Sequence, residues 1–590
     1  MALIPQNLFN MKNLINLLWI SIVFIGCQPK QSLTTESTQL ESLLKAYQDF
    51  VNEQYPEDGL SSLSEVAEQR RFGFYDSLLK VVRKFPTEGM AATDRYTVEL
   101  MAYTLKEEVD EFTYHMHENS LLADGGFHIG LAYIPGSHPF TNVKDYENYL
   151  SKLEQVGRYM DENIALLRKG IKNGWVQPEI IFDGYEQTYE GHIVDNVEES
   201  IYYKPFANFP VSLSETQKKE LEEKGRRVVS QVVVPAYRRT KEFFENEYFP
   251  ACRSSIGASE LPDGKAFYQN RIEYYTTLPL TADSIHALGL SEVARIKNEM
   301  MDIIQEVRFK GSFSEFLTFL RTDPQFYAKT PEDLLKEAAY VAKTMDGKLP
   351  ALFGRLPRLP YTVEKVPDYI APKYTGGRYI DPPEGGKVPG KYWVNTYGLK
   401  SRPLYVLNSL TLHEAVPGHH LNIALTMELE HLPEFRKTLY LSAFGEGWGL
   451  YSEYLGLEAG MYKDPYRNFG RLTYEMWRAC RLVVDTGIHA FGWTRQQALD
   501  YMAENTALSI HEITTEVDRY IAWPGQALSY KIGELKIKAL RKKAEQALVE
   551  KFDIRQFHDI ILSEGSVTLP ILEEMVDDYI KETLNKPTSE

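Results

Sequence analysis

Three histidines lie close together in residues 411–420, which have the sequence Thr-Leu-His-Glu-Ala-Val-Pro-Gly-His-His. The chain has 13 histidines among 590 residues, so three within eight positions form a distinct cluster. A His-Glu pair followed by another histidine on a helix is typical of zinc peptidases, in which the histidines bind the metal and the glutamate acts as general base. The cluster therefore predicts that His413 binds Zn²⁺ and that Glu414 activates water. The alternative is an exposed histidine cluster beside a Pro-Gly helix break.

The second histidine does not have the usual spacing. In the common pattern it follows the first by four residues, one helical turn later, where this chain has Pro417. On an unbroken helix His419 would point to nearly the opposite side, and His420 would lie about 10 Å along the axis. Because Pro417 cannot donate to the carbonyl of His413 and Gly418 relaxes the backbone, we expect a break in the helix there. This expectation favours His419 as the second ligand, with His420 as the alternate.

A third protein ligand is expected downstream, because catalytic zinc usually has three. Glu446 lies 27 residues after His419, far enough for the chain to leave one helix and return on an antiparallel one, and Pro433 favours a turn between them. Glu446 is flanked by glycines in the sequence Gly-Glu-Gly-Trp-Gly. Glycine costs a helix about 1 kcal/mol, so this repetition indicates close packing or a site. Glu453, which lacks such flanks, is the second choice.

Residues that stabilise charge in the transition state are expected further along the chain. The candidates are His489, Arg519, Tyr520 and Tyr530. Tyr530 ranks first because it follows a Pro-Gly-Gln turn and its hydroxyl can donate without adding a fixed charge. Residues 478–489 also place two arginines, an aspartate and a histidine at helical spacing, which is compatible with internal ion pairs or with a site.

Three longer motifs extend this pattern. They are Thr-Leu-His-Glu-Ala-x-Pro-Gly-His-His around His413, Glu-Gly-Trp-x-Leu-Tyr-x-Glu from Glu446, and Pro-Gly-Gln-Ala-Leu-x-Tyr from Pro524. In these motifs, and over nearly the whole mature chain, the protein resembles the bacterial family labelled domain of unknown function 885 and, more broadly, the gluzincin metallopeptidases. The resemblance implies a large gluzincin-like helical metallopeptidase fold, bound Zn²⁺, and a third metal ligand, Glu446, on the helix that follows the histidines.

Most of the chain has the apolar spacing of helices. The predicted helices cover residues 40–52, 60–82, 146–172, 214–247, 281–308, 331–344, 404–429, 436–460, 467–489, 495–505, 510–520 and 528–552. Residues 349–403 are instead rich in Pro and Gly, with short β-prone stretches at 361–366, 377–380 and 391–396. The predicted fold class is mainly α, with a small antiparallel sheet before the metal-binding helix. An edge strand at 391–396 is expected to pair with an extended peptide substrate.

The N-terminus has the pattern of an export signal. Lys12 precedes an apolar run that ends at Cys27, which predicts a signal peptide over residues 1–26 and a lipid attached to Cys27. An ordinary signal peptide with a coincidental cysteine is the alternative. The predicted organisation continues with a lipid-anchored tether at 27–41, an N-terminal helical lobe at 42–279 and a catalytic lobe at 280–590. The predicted location is the cell envelope of a bacterium, at the outer membrane or the periplasmic face, with the lipid anchor in the membrane.

Composition narrows the class of protein. The 65 Lys plus Arg and 82 Asp plus Glu give a net charge of −17, which argues against nucleic-acid binding. Three cysteines cannot form a disulfide framework. The sequence therefore predicts a zinc peptidase that hydrolyses short peptides. A zinc amide or ester hydrolase with a non-peptide substrate is one alternative, and a non-catalytic surface binding lipoprotein is another. An intact Glu414 argues against the last, and the oligomeric state stays open.

Overall fold

The structure is a computed structural model that describes residues 32–586, except 369 and 383–387. The described chain is mainly α-helical. We number its α-helices of eight or more residues in chain order as α1 Ser32–Gln54, α2 Glu65–Val82, α3 Ala92–Thr113, α4 Val143–Asn173, α5 Glu215–Val228, α6 Val234–Phe243, α7 Gly264–Thr276, α8 Ala282–Glu306, α9 Phe313–Thr322, α10 Pro331–Asp346, α11 Leu407–Glu414, α12 His419–Met427, α13 Ser442–Glu458, α14 Pro465–Phe491, α15 Arg495–Asn505, α16 Ile510–Ala522, α17 Ser529–Leu548, α18 Ile554–Ile561 and α19 Leu569–Asn585.

Side-chain caps define where several helices begin. Asn142 and Asp145 form a reciprocal capping box at the start of α4. The side chain of Ser509 accepts a hydrogen bond from the backbone N–H of Glu512 and begins α16. The helix predicted over 436–460 is divided into a short helix, Glu434–Thr438, and α13. Helices α3, α7, α9, α18 and α19 were not predicted.

The predicted signal peptide and Cys27 lie outside the described residues. Of the predicted tether, residues 32–41 are described, and they form the start of α1. None of the described helices combines the length and the apolar character that crossing a membrane requires.

The sheet has three strands, β1 Tyr361–Lys365, β2 Gly377–Ile380 and β3 Gly390–Val394. Their spatial order is β1-β3-β2, with β3 parallel to β1 and antiparallel to β2. The prediction of a wholly antiparallel sheet was therefore wrong, and so was the prediction that the third strand lies at an edge. Both errors come from assuming that consecutive strands pair, whereas the 366–376 connection is long enough to place β2 on the far side of β3.

Helix α14 lies at the centre of the molecule. Every residue from 469 to 489 is buried, and α8 packs along it. The buried apolar residues form two clusters, and each contains residues from both sides of 279: Tyr146 and Trp477 belong to one cluster, Tyr75 and Trp448 to the other. Apolar packing therefore does not mark a boundary at 279, and the two-lobe division stays a prediction.

Helices α13 and α17 are in close backbone contact. A Cβ on Gly447 would lie 2.6 Å from the backbone of Gly533, and a Cβ on Gly533 would lie 1.9 Å from the carbonyl oxygen of Ala443. A larger residue at either glycine would push the helices apart. The contact fixes Glu446, on α13, relative to Tyr530, on α17, and explains Gly447, whereas a Cβ on Gly445 would meet Tyr440 and one on Gly449 would meet His413.

Candidate metal centre

The helix that carries the histidines is interrupted where Pro417 and Gly418 predicted a break. Helix α11 ends at Glu414 and α12 begins at His419. The indole N–H of Trp448 donates to the carbonyl oxygen of Pro417 at 2.8 Å and ties the interruption to α13.

Gly418 makes this interruption compact. Its N–H donates to the carbonyl oxygen of Leu412 at 3.0 Å, so the chain turns back over the end of α11. A Cβ on Gly418 would lie 1.8 Å from the carbonyl oxygen of His413, a distance that no side chain tolerates. The tight turn brings His419 back to the side of the helix that carries His413.

Three potential metal ligands converge after the turn. One ligand atom from each of His413, His419 and Glu446 lies within 4.8 Å of the other two. Among the described residues, this is the group of three or more possible ligands that is close enough to hold a metal ion. The Oε2 atom of Glu446 is 3.3 Å from Nε2 of His413 and 3.4 Å from Nε2 of His419. Glu446 reaches this point from α13, the helix on which the sequence placed it.

His420 points away from this group. Its Nδ1 atom lies 2.9 Å from the hydroxyl of Tyr379, and its ring packs 4.6 Å from the ring of Tyr361. Burial lowers the pKa of His420 to about 4, so its imidazole is neutral at pH 7. The geometry therefore favours His419 over His420 as the second ligand.

Other side chains hold the candidate ligands in place. Glu453, the second choice for the third ligand, lies 2.9 Å from Nδ1 of His413, on the opposite side of the ring from Glu446. A carboxylate in this position fixes the orientation of a ligating imidazole. The hydroxyl of Tyr440 donates to Oε1 of Glu446 at 2.9 Å. Sequence analysis missed Tyr440, which belongs to none of the motifs.

The buried charges of the group stabilise one another. Burial alone would lower the pKa of His413, but its contacts with Glu446 and Glu453 outweigh this and raise the pKa to about 10. Burial would raise the pKa of Glu446, but the two imidazoles hold it well below its usual value, His419 having the larger effect. Glu446 is therefore ionised, as an anionic metal ligand must be.

Glu414 lies beside the group with one oxygen already engaged. Its Oε2 atom accepts a hydrogen bond of 2.8 Å from the backbone N–H of Tyr379, in β2. This bond fixes the carboxylate between the sheet and the candidate ligands and leaves the other oxygen able to accept a proton. The sheet thus positions the predicted base.

A pocket of about 450 Å³ opens onto these residues. His413, Glu414, His419 and Glu446 form one part of its lining. Strand β2 and its preceding residues form a second part, and aromatic and arginine side chains of α14, α16 and α17 complete it. The further lining residues include Thr375, Gly377, Arg378, Tyr379, Tyr440, Tyr474, Arg478, Arg481, Glu512, Glu516, Arg519 and Tyr530.

A family model described as "Bacterial protein of unknown function (DUF885)" matches residues 46–576. The chain belongs to this family. The resemblance to this family that the three motifs indicated is thereby confirmed, whereas the broader resemblance to the gluzincin metallopeptidases stays a prediction. A comparison with curated proteins found no match.

Two solved structures share the fold of this DUF885 protein. The "putative lipoprotein" from Colwellia psychrerythraea is 29% identical, with a TM-score of 0.85, and the match covers 94% of this chain and 99% of that one. The "putative lipoprotein of unknown function" from Shewanella oneidensis is 16% identical, with a TM-score of 0.68, and covers 91% and 99%. The second likeness shows the fold alone.

The DUF885 protein brings two of the four candidates for transition-state stabilisation to the pocket. Tyr530 and Arg519 line it, and the ring of Tyr530 lies nearly parallel to that of His413, 6.4 Å away. Tyr520 instead uses its hydroxyl inside the core, accepting hydrogen bonds from the side chains of Trp477 and Arg481.

His489 is not at the pocket. Its Nδ1 atom accepts a hydrogen bond from the N–H of Ala258 at 3.0 Å, and Nε2 donates to the carbonyl oxygen of Tyr520 at 2.9 Å. Burial lowers the pKa of His489 to about 3, which keeps the ring neutral. The predicted catalytic role for His489 is corrected: the side chain joins helices, and helical spacing alone did not reveal which face of α14 borders the pocket.

Proposed function

We propose that this DUF885 protein is a zinc-dependent peptidase of the gluzincin type that hydrolyses short peptides. The observation that carries the proposal is the convergence of His413, His419 and Glu446 beside Glu414 at the wall of a pocket. Two imidazoles and one carboxylate are a donor set that suits catalytic zinc, which keeps an open position for water or substrate. The contact between Glu453 and His413 supports the same assignment.

The chain supplies the groups that such hydrolysis needs. A zinc ion held by the three ligands would polarise the peptide carbonyl and acidify a bound water. Glu414 takes a proton from the attacking water on its free oxygen and passes it to the leaving amine, while the N–H of Tyr379 holds its other oxygen. Tyr530 donates from its hydroxyl to the developing oxyanion.

Strand β2 is the element that we expect to hold the peptide backbone. One of its edges pairs with β3, while the N–H of Tyr379 points the opposite way, toward Glu414 in the pocket. Backbone N–H and C=O groups point to alternate edges of a strand from one residue to the next. The backbone groups of Gly377, two residues before Tyr379, therefore face the same edge as those of Tyr379. An extended peptide can therefore pair with this edge of β2, the role that the sequence had predicted for β3.

The function is tested most directly with a peptide library. We expect the zinc-loaded protein to cleave peptides, with products identified by mass spectrometry, and to lose this activity when zinc is removed by a chelator. A parallel panel of non-peptide amides and esters is the comparison. Cleavage confined to that panel, or no turnover with either set, would contradict a peptidase.

Removing the hydroxyl of Tyr530 should lower catalysis without disturbing the fold. We expect Tyr530→Phe to reduce kcat about 100-fold with little change in KM, the size typical of losing one oxyanion donor. The matched control is Tyr451→Phe, which removes a hydroxyl that contacts His558 away from the pocket. Steady-state kinetics and thermal melting of both variants measure this. A Tyr530→Phe variant as active as the wild type would promote Arg519 to the role.

We also propose that the protein is an exported lipoprotein attached through Cys27 to a membrane of the bacterial cell envelope. The apolar run before Cys27 supports this proposal. The similarity to the Colwellia psychrerythraea protein, which is described as a "putative lipoprotein", supports it as well. The wild type should partition into detergent and carry lipid on Cys27, whereas Cys27→Ser should be found in the soluble fraction. Fractionation and mass spectrometry of the N-terminal peptide measure both. Release of the wild type identical to that of Cys27→Ser would refute the anchor.

A further inference from the structure

Four arginines line the pocket that contains the candidate metal centre, and three of them are on helices. Arg478 and Arg481 come from α14 and Arg519 from α16, and we call them the arginine cluster. The side chains of Arg478 and Arg481 are only 5% and 2% exposed. Burying a guanidinium group is costly unless its charge and its donors are satisfied. The charges and N–H donors of the cluster must therefore have partners.

Each member of the cluster has a donor left over. The Nε of Arg478, Nη1 of Arg481 and Nε of Arg519 are buried and have no hydrogen-bond partner among the residues that the structure describes. Buried donors are nearly always paired in proteins, so three unpaired donors on residues that line one pocket indicate that a bound ligand completes the hydrogen bonding.

The carboxylates near the cluster do not balance its charge. Glu516 serves two arginines, at 2.7 Å from Arg481 and 3.7 Å from Arg519. The carboxylate near Arg478, that of Glu453 at 3.7 Å, also binds His413.

A further carboxylate of the pocket contributes only part of a charge. Burial raises the pKa of Glu512 to about 7, so it is partly protonated at neutral pH. The cluster therefore keeps a local positive excess, although the whole chain has a net charge of −17. Such a local excess attracts an anionic group into the pocket.

The cluster lies a short distance from the candidate metal ligands. The ring of Tyr530 lies between them, 6.4 Å from the ring of His413 and 4.0 Å from the guanidinium carbon of Arg481. One extended residue spans about 3.3–3.6 Å. An anionic group on the cluster is therefore within roughly three residues of a peptide bond held at the metal ligands.

We propose that the arginine cluster binds the free C-terminal carboxylate of the substrate, so that the protein is an exopeptidase releasing one to three residues from the C-terminus. Planar guanidinium groups match a carboxylate with paired hydrogen bonds. In the reaction the oxygen of water joins the carbonyl carbon, the C–N bond breaks, and a proton goes to the amine of the released fragment. The inference rests on the proposed peptidase function and adds the substrate class.

Binding of matched peptides tests the inference without turnover. The affinity of the zinc-loaded Glu414→Gln variant for N-acetylated tetra-alanine is measured by isothermal titration calorimetry. The peptide is used both as the free acid and as the C-terminal amide. A third peptide, an amide with glutamate as its last residue, carries the carboxylate on a side chain. The free acid should bind at least about 10-fold more tightly than either amide, the size of a charge-assisted hydrogen bond.

Arginine variants then show whether the cluster is responsible. Arg519 is the most exposed member, at 14%, and is the safest to replace. In Arg519→Gln the ratio between acid and amide affinities should fall to about one, with KM raised for free-acid substrates and kcat little changed. The matched control is Arg495→Gln, which removes a guanidinium paired with Asp518 outside the pocket and should preserve the preference.

Each outcome decides the matter. Equal binding of acid and amide would overturn the inference, yet cleavage of both would leave the peptidase function standing. A preference for the side-chain carboxylate would also overturn it, as would an acid preference that survives in both Arg519→Gln and Arg481→Gln, because the metal would then hold the carboxylate. An arginine-dependent acid preference without any cleavage would support carboxylate binding by the arginine cluster, but it would refute the peptidase function and with it the release of C-terminal residues. The comparison of the three peptides needs no arginine variant to fold.

Discussion

Replacing Glu414 with glutamine should lower kcat by about 1,000-fold or more while the protein keeps its metal. Glutamine has nearly the shape of glutamate but cannot take a proton from water, and general-base catalysis contributes factors of about 10²–10⁴. Its side-chain oxygen can still accept the hydrogen bond from the N–H of Tyr379, so the local structure should persist. Single-turnover kinetics measure the rate of the chemical step, and elemental analysis measures the zinc that the variant retains.

A second pocket glutamate provides the control for this variant. Glu512→Gln makes the same change in the same pocket but away from the candidate ligands. We expect it to lower kcat less than 10-fold, because it removes a partial charge and not the base. Near-normal kcat in Glu414→Gln, or an equal loss in both variants, would mean that Glu414 is not the base.

Removing His419 should abolish zinc binding, whereas removing its neighbour His420 should not. We expect about one zinc per chain in the wild type and in His420→Ala, and only traces in His419→Ala after dialysis. The reason is geometric: the ring of His419 faces Glu446 and His413, while that of His420 contacts Tyr379 and Tyr361. Elemental analysis of the three proteins measures the difference.

The same proteins show whether activity follows the metal. Chelation should inactivate the wild type, and added zinc should restore it, while zinc should not restore His419→Ala. Full zinc in His419→Ala, or zinc lost from His420→Ala and not from His419→Ala, would overturn the ligand assignment. Circular dichroism of both variants checks that the helices are intact.

Much of the candidate site could be predicted because its residues are close in sequence or lie in compact motifs. His413, Glu414 and the Pro-Gly break lie within one segment, and the glycines around Glu446 indicated close packing. The interactions that cross between distant elements could not be predicted. The N–H of Tyr379 contacts Glu414 only because the fold brings a strand beside α11. Tyr440 is close in sequence to Glu446, which its hydroxyl contacts, but it belongs to no motif that would have marked it.

The missed helices and the strand order have similar physical causes. In α3 the apolar residues Tyr96, Val98 and Leu100 alternate as in a strand, and only the buried Met101 and Leu105 continue the helical face. Strand order depends on the path of the chain between strands, which short apolar stretches do not encode. Neither feature could be settled from local periodicity, because packing against distant parts of the chain decides both.

The interruption between α11 and α12 has a consequence for how proteins with this kind of site are found in genomes. A search that requires His-Glu-x-x-His passes over this chain, since Pro417 occupies the fifth position. The backbone turn at Gly418 nevertheless brings the rings of His413 and His419 to within 4.8 Å of each other. In this chain the placement of the ligand atoms in space, and not the regular number of residues between them, makes the candidate site. Searches for candidate metal sites should therefore compare three-dimensional arrangements of donor atoms as well as sequence motifs.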